Sequence, residues 1–167
     1  MSAETKSLEQ LSHMIKDIRF AMFTTRHANG HMHSRPMTTQ NTTMDDGCLW
    51  FFMSAKGEPV ADIGVDASVG LSYADPGKNI YVSVSGTAKI TKDMAKAKAL
   101  WTPMAKAWFV GGIDDPDLAL VQVKIAHAHY WDIKENKLTQ LYVMAKAAMT
   151  GEKPAPLGES GEVRVQR

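Results

Sequence analysis

The sequence predicts a mainly β fold, an antiparallel barrel with a few flanking helices. Short segments with the hydrophobic pattern of strands follow one another closely along the 167 residues. Turn signals separate them, most clearly Asn29-Gly30 and the run Pro76-Gly77-Lys78-Asn79, and such residues favour tight connections between antiparallel strands. Helical periodicity is confined to a few places, so the regular helix–strand alternation of a doubly wound fold is not indicated.

The predicted strands share β-branched and aromatic residues bounded by turn residues. They cover residues 19–25, 31–39, 48–54, 67–75, 80–90, 118–125 and 127–132. The last two segments are either two strands or one strand broken near Ala126. Gly86, inside the fifth segment, marks a bulge or a close approach of another backbone.

The predicted helices lie between and around these strands. Ser7 is placed to cap a first helix over residues 7–17, in which apolar residues recur at helical spacing. Pro59 suits the first turn of a helix over 59–65, and Asp93 suits the cap of a helix that ends near residue 101. Helical segments also cover 103–109 and 138–149.

The chain is long enough for one domain, over residues 1–150, and its last part has a different composition. Residues 151–167 are rich in Gly, Pro, Glu and Ser, which predicts a flexible tail. The formal net charge of +1 gives no electrostatic case for binding nucleic acid or a membrane surface. No apolar stretch is long enough to span a membrane, and Cys48 is the single cysteine, so we expect a cytoplasmic protein.

Two His-x-His pairs offer a metal-binding interpretation. His31 with His33, and His127 with His129, each fall on one face of a predicted strand, because alternate residues share a face. Neither pair has a carboxylate at a matching spacing. The sequence therefore assigns no metal ligand, and a metal-binding barrel stays an alternative.

A second pattern suggests an anionic aromatic ligand. Arg35 lies on a strand face that we expect to be exposed, and its planar guanidinium suits a phosphate or a heterocycle oxygen. Ser54 and Lys56 precede a predicted helix start, which is a favourable place for a phosphate. Tryptophans supply flat apolar surface. On the residues alone, a solvated arginine, a capping serine and core tryptophans are the favoured explanation of the same pattern.

The order of several motifs resembles the pyridoxamine 5′-phosphate oxidase-like family of flavin-binding split barrels, and within it the general stress protein 26 type. The motifs are "SRPM" at 34–37, "LWFFMSAKGEPVADI" at 49–63, "VSVSGTAKI" at 82–90, "LW" at 100–101, "AWFVGGIDDPDLAL" at 107–120 and "YWD" at 130–132. The resemblance covers residues 8–149, and its strength lies in the order and spacing of motifs that are individually modest.

The resemblance implies a six-stranded antiparallel split β-barrel that forms a homodimer with FMN, or alternatively FAD, at the interface. Residues implied to bind the flavin ring and ribityl chain are Arg35, Pro36, Met37, Phe52, Met53 and Ser54. Those implied to offset the phosphate charge are Arg35, Lys56 and Lys106, and Trp108 and Trp131 would reach the site from the partner subunit. Gly57 and Pro59 stand where the family often has Ser and Lys, so the grip on the phosphate is altered.

Two functions follow from this resemblance and stay open. The first is a stress-related redox role in which the flavin carries the electrons. The second is a non-catalytic module that sequesters or senses a flavin. The sequence indicates no general acid or base, so it does not decide whether the protein is an enzyme, and it does not distinguish a flavin from a deazaflavin.

Overall fold

The computed structural model describes residues 3–44, 46–134 and 136–165. Seven strands form one antiparallel sheet: β1 Phe20–Arg26, β2 Met32–Thr38, β3 Cys48–Ser54, β4 Ser68–Asp75, β5 Ile80–Thr91, β6 Leu118–Asp132 and β7 Glu159–Arg164. Four α-helices accompany them: α1 Ala3–Ile15, α2 Glu58–Val65, α3 Met94–Leu100 and α4 Lys137–Thr150. Two short 3₁₀ turns lie at Pro103–Ala107 and Gly112–Asp114.

The sheet curls into a split barrel. Its strand order is β2-β1-β4-β5-β6-β3, and β7 pairs with β6 beyond the end of β3. The chain just after β2 contacts β3, since the backbone N–H of Gln40 donates to the carbonyl of Trp50 at 2.8 Å. The predicted six-stranded split barrel with flanking helices is confirmed, and β7 is an additional strand.

The main core fills the inner face of the curled sheet. Phe23 and Phe51 meet there edge to face, with ring centroids 5.1 Å apart, an arrangement that aromatic rings prefer. Helix α1 closes one end of the barrel and buries Leu11 completely. A second cluster packs on the other side of β3 and includes Trp50 and Phe52. Because β3 has packing partners on both faces, its sequence is apolar throughout, as predicted.

β6 is one strand with an irregularity, which resolves the alternative left by the sequence. The register passes from Ser85 opposite His127 to Gly86 opposite Ile125, so Ala126 is the extra residue. A Cβ atom at Gly86 would overlap the Lys124 carbonyl oxygen. The predicted bulge and the predicted close approach are therefore the same feature, and Gly86 permits both.

Two predictions at the chain ends differ from the structure. The first helix begins at Ala3, so Ser7 lies inside it and does not cap it. Residues 159–164 of the predicted flexible tail form β7, and Val163 is buried against the core. The composition of this segment does not predict a strand. The strand forms because the segment pairs with the second half of β6, which is distant in sequence. Residues 166–167 lie outside the described part of the chain.

The face of β2 that carries Arg35 points inward, which corrects the expectation that it is exposed. Arg35 pairs with Phe23, a fully buried core residue, and paired residues of neighbouring strands share a face. Pro36 lies on the outer face of this edge strand, where a missing N–H costs little. Among the described residues, no helix is both long and apolar enough to cross a membrane.

A buried carboxylate fastens α2 to the barrel. The side chain of Asp62, 2% exposed, accepts the Thr25 hydroxyl at 2.6 Å and bonds the His27 ring at 2.8 Å. The Thr25 hydrogen bond, helped by His27 and Arg35, lowers the pKa of Asp62 below its ordinary value of 3.8. The ionised form is thus the one that the fold stabilises.

We predict that Gly86→Ala destabilises the barrel by more than about 2 kcal/mol, because the new methyl group overlaps a backbone oxygen that cannot move without breaking the sheet. Gly64→Ala on α2 is the matched control, since a Cβ there meets nothing within 4 Å and alanine favours a helix. Urea unfolding of both variants checks this. Equal midpoints for the two variants would contradict it.

We predict that Asp62→Asn lowers the free energy of unfolding by about 1–3 kcal/mol at neutral pH, because a charged hydrogen-bond acceptor is lost. The stabilising effect of a depressed carboxyl pKa is present above the unfolded value of 3.8 and is lost as the pH falls through the folded value. The difference from the wild type should therefore shrink below about pH 4. A difference that stays constant from pH 7 to pH 3 would contradict this account.

Candidate functional site

Five side chains meet at one rim of the barrel, and we call them the rim cluster: Thr25, His27, Arg35, Glu58 and Asp62. Thr25 is the next-to-last residue of β1 and His27 follows that strand, Arg35 lies on β2, and the two carboxylates are on α2. Glu58 and Asp62 are four residues apart and share one helix face. The cluster depends on the packing of α2 against β1.

The cluster is joined by hydrogen bonds in a defined order. Nη1 of Arg35 donates to Oγ1 of Thr25 at 2.6 Å, and that hydroxyl donates in turn to Oδ2 of Asp62 at 2.6 Å. Nη2 of Arg35 donates to Oε1 of Glu58 at 3.3 Å and lies 3.8 Å from Oδ2 of Asp62. The Arg35 side chain, only 14% exposed, thus already donates two hydrogen bonds within the chain.

Glu58 connects the cluster to a second histidine. Its Oε1 lies 2.6 Å from Nδ1 of His33, and this hydrogen bond lowers the pKa of the Glu58 carboxyl. Glu58 and His33 are both about half exposed, so this contact is adaptable. A cleft of about 250 Å³ opens beside it and is lined by His27, Asn29, His31, Met32, His33 and Glu58.

The turn after β3 is also held by a carboxylate. Oγ of Ser54 donates to Oδ2 of Asp117 at 2.7 Å, and the backbone amide of Lys56 donates to Oδ1 at 3.2 Å. The amide of Ala55 donates to the Asp117 carbonyl at 2.7 Å. The Ser54 hydroxyl, which the sequence assigned to a phosphate, therefore binds Asp117, whereas the Lys56 side chain assigned with it is exposed.

The remaining predicted ligand-binding residues are dispersed. Met37 packs against the main core, which also contains Met53, whereas Phe52 belongs to the second cluster and stacks edge-on against Trp101 at 5.6 Å. Pro36, Lys106 and Trp108 are exposed, the last with 84% of its surface free. The side chains of Phe52 and Met53 therefore serve packing in this chain.

Trp131 lies on the outer face of the sheet, which also carries exposed serines and histidines of β5 and β6. It is 46% exposed and directly opposite Tyr81 on β5, which is also exposed. Phe20 and Met22 add exposed apolar surface on β1. Large contiguous apolar surfaces of soluble proteins are often interaction sites.

The two His-x-His pairs have different surroundings. His33 contacts Glu58, and His31 lines the same cleft. His127 and His129 instead lie 3.3 Å and 3.8 Å from Oε1 of Glu162 on β7. Within the described residues, the cluster whose ligand atoms lie close enough to share an ion is His27, Glu58 and Asp62. The two pairs do not form a common site.

Sequence reasoning missed two features of this surface. His27, Glu58 and Asp62 come together only through the tertiary fold, although the i, i+4 spacing of the two carboxylates was a usable signal. The larger cleft, of about 530 Å³, was also missed. It lies between the β2–β3 connection and α3, and its lining includes Arg19, Asn41, Lys96 and Trp101.

Known proteins resemble this chain over most of its length. Residues 6–155 match the family described as "Pyridoxamine 5′-phosphate oxidase like". Protein bli-3 of Neurospora crassa is 28% identical over 96% of this chain and 81% of its own length. A Jannaschia sp. CCS1 protein assigned to general stress protein 26 superposes with a TM-score of 0.72 at 27% identity, covering 96% of this chain and 99% of the other.

A general stress FMN/FAD binding protein from Xanthomonas citri is also similar, with a TM-score of 0.68 and 32% identity over 80% of this chain and 93% of its own. These similarities agree with the strand order and curvature of the sheet and with the order of the motifs along it. The family match spans well over half of the sequence. The chain therefore belongs to the pyridoxamine 5′-phosphate oxidase-like family.

Proposed function

We propose that the protein is a flavin-binding homodimer with a redox role in a stress response, and that FMN or FAD binds at the subunit interface. The observation that carries the proposal is the exposed aromatic surface on the outer face of the sheet, where Tyr81 and Trp131 are direct cross-strand neighbours. A similar protein of Xanthomonas citri is named as FMN/FAD binding, which supports the same ligand class here.

The ring system of a flavin fits the residues available. Trp131 and Trp108 both expose much of their indole surface, and flat aromatic surfaces favour stacking with another ring. A second subunit that covers the outer face would exclude water from such a ring. A dimer with the flavin ring between its subunits would thus account both for the exposed apolar side chains and for the binding of the ring.

The phosphate of a flavin fits less well. Arg35 is bound by Thr25 and Glu58, and the Ser54 hydroxyl and Lys56 amide are bound by Asp117. A phosphate at either place must displace a carboxylate and remain near its negative charge. Lys56 and Lys106, whose side chains are exposed, are the cations that can reach it freely. We infer that the ring contributes more of the affinity than the phosphate.

A bound flavin supplies hydride or electron transfer, and the protein supplies position and electrostatics. The alternative function, a non-catalytic flavin carrier or sensor, is favoured by the rim cluster itself. Its acidic and basic groups are paired with one another, which leaves no evident proton donor or acceptor for a substrate. Repeated reduction by NADH or NADPH and reoxidation would establish the enzyme, and a bound but inert flavin would establish the carrier.

The proposal is tested by the visible absorption spectrum of the purified protein and by titration with riboflavin, FMN and FAD. We expect the protein to be yellow or to bind added flavin, and to be a dimer by light scattering. We expect its dissociation constants for riboflavin and FMN to differ by less than about tenfold, or about 1.4 kcal/mol. A monomer that binds none of the three would overturn the proposed function. A preference for FMN above about 100-fold would overturn only the dominant role of the ring.

We predict that Trp131→Ala weakens flavin binding by about 0.5–1.5 kcal/mol, the usual value of an aromatic stacking contact. Met149→Ala on α4 is the matched control, because Met149 is also a large exposed apolar side chain, with 88% of its surface free. Fluorescence titration of both variants measures the difference. Equal affinities would remove Trp131 from the flavin site.

We predict that Glu58→Gln increases the preference for FMN over riboflavin by about tenfold, because it removes the negative charge closest to Arg35 and frees the guanidinium. Glu162→Gln is the control. Glu162 lies on β7 and is a comparable carboxylate that contacts Arg164 and His127. The ratio of the two dissociation constants is the measurement. An unchanged ratio in Glu58→Gln would show that the phosphate binds elsewhere.

A further inference from the structure

We propose that the rim cluster is a binding site for a divalent transition-metal ion of the zinc class, with His27, Glu58 and Asp62 as ligands and His33 as an additional imidazole beside them. One ligand atom from each of the first three residues lies within 4.8 Å of the other two. Two ligand atoms bound about 2.0–2.2 Å from one ion in a tetrahedral site are about 3.3–3.6 Å apart. The ligand atoms must therefore move together by up to about 1.5 Å, which the half-exposed Glu58 side chain permits.

The donor types favour this class of ion. Imidazole nitrogen combined with carboxylate oxygen suits zinc and its neighbours in the first transition row, whereas magnesium and calcium prefer oxygen ligands alone. His27 already points Nδ1 at Asp62, at 2.8 Å, and His33 points Nδ1 at Glu58, at 2.6 Å. Each imidazole is thus oriented beside a carboxylate before any ion arrives.

The charge of the cluster also favours a cation. Asp62 and Glu58 supply two negative charges, and Arg35 supplies one positive charge, so the net charge is −1 when the imidazoles are counted as neutral. Asp62 is 2% exposed, and a buried carboxylate needs a nearby positive charge or strong donors. Asp62 already has the donors of Thr25 and His27, and a bound divalent ion would offset the negative charge that remains in the cluster after Arg35 is counted.

The site has room for an ion and for an exchangeable ligand. The cleft of about 250 Å³ beside Glu58 is lined by His27, His31 and His33 among others. Three protein ligands with an open, solvent-facing position are the arrangement found in catalytic zinc sites. The first His-x-His pair, His31 and His33, has no role in the proposed flavin site and lines this cleft.

The elements that carry the ligands are fixed by contacts that do not involve the ion. Asp62 is held by Thr25 at the end of β1, and α2 places Glu58 one turn before it. Glu58, about half exposed, is the ligand free to adjust. The site is therefore preformed on its buried side and adaptable on its outer side.

The test uses the full-length protein, stripped with a chelator and free of flavin, and titrated with Zn²⁺ by calorimetry and with Co²⁺ by visible absorption. We expect one ion per chain and a Co²⁺ spectrum of a site with nitrogen and oxygen ligands. His27→Ala and Glu58→Gln should each lower the Zn²⁺ affinity by about 100-fold, as expected for the loss of a ligand. Both substituted side chains are about half exposed, so folding is expected to survive, and circular dichroism checks it.

His129→Ala is the matched control, because His129 is a half-exposed histidine beside a carboxylate outside the cluster. Its Zn²⁺ affinity should equal that of the wild type. An equal loss in His129→Ala, no loss in folded His27→Ala and Glu58→Gln, or no stoichiometric binding by the wild type would each overturn the proposal. Because no flavin is present, these outcomes leave flavin binding to be decided by its own titration.

Discussion

The buried carboxylate of Asp62 is the interaction on which the rim of this barrel depends. A charged group with 2% of its side chain exposed requires strong hydrogen-bond donors to offset the loss of water. Thr25 from β1 and the imidazole of His27 provide them, and Arg35 lies nearby. This one group therefore links α2, the end of β1 and His27, and it lies beside the Arg35 side chain.

Carboxylates outnumber free cations throughout the region that the family resemblance assigns to a phosphate. Glu58 occupies the outer side of the Arg35 guanidinium, and Asp117 holds the hydroxyl of Ser54 and the amide of Lys56. The same arrangement that weakens an anion site strengthens a cation site, since both depend on the sign of the local charge. The local charge does not affect the aromatic surface on the outer face of the sheet. The proposed flavin would therefore have a favourable site for its ring and a less favourable one for its phosphate.

The sequence predicted the strands and turns well because their signals are local. Asn29-Gly30 marked the first hairpin, where Gly30 has a φ of +88°, and the apolar run of β3 indicated burial on both faces. It did not identify β7, because that segment has little hydrophobic pattern of its own and is stabilised by pairing with β6. It also placed Arg35 on the wrong face, because alternation separates two faces without saying which one meets the core.

The sequence by itself determined the antiparallel barrel, the irregularity at Gly86 and the presence of Arg35 near the rim, since each of these depends on neighbouring residues or on residue type. Only the tertiary structure decided which of these groups meet. His27 and Asp62 are 35 positions apart, and Ser54 and Asp117 are 63 apart. Their pairing depends on the curvature of the sheet and the docking of α2, which are set by the packing of the whole core and leave no local pattern in the chain.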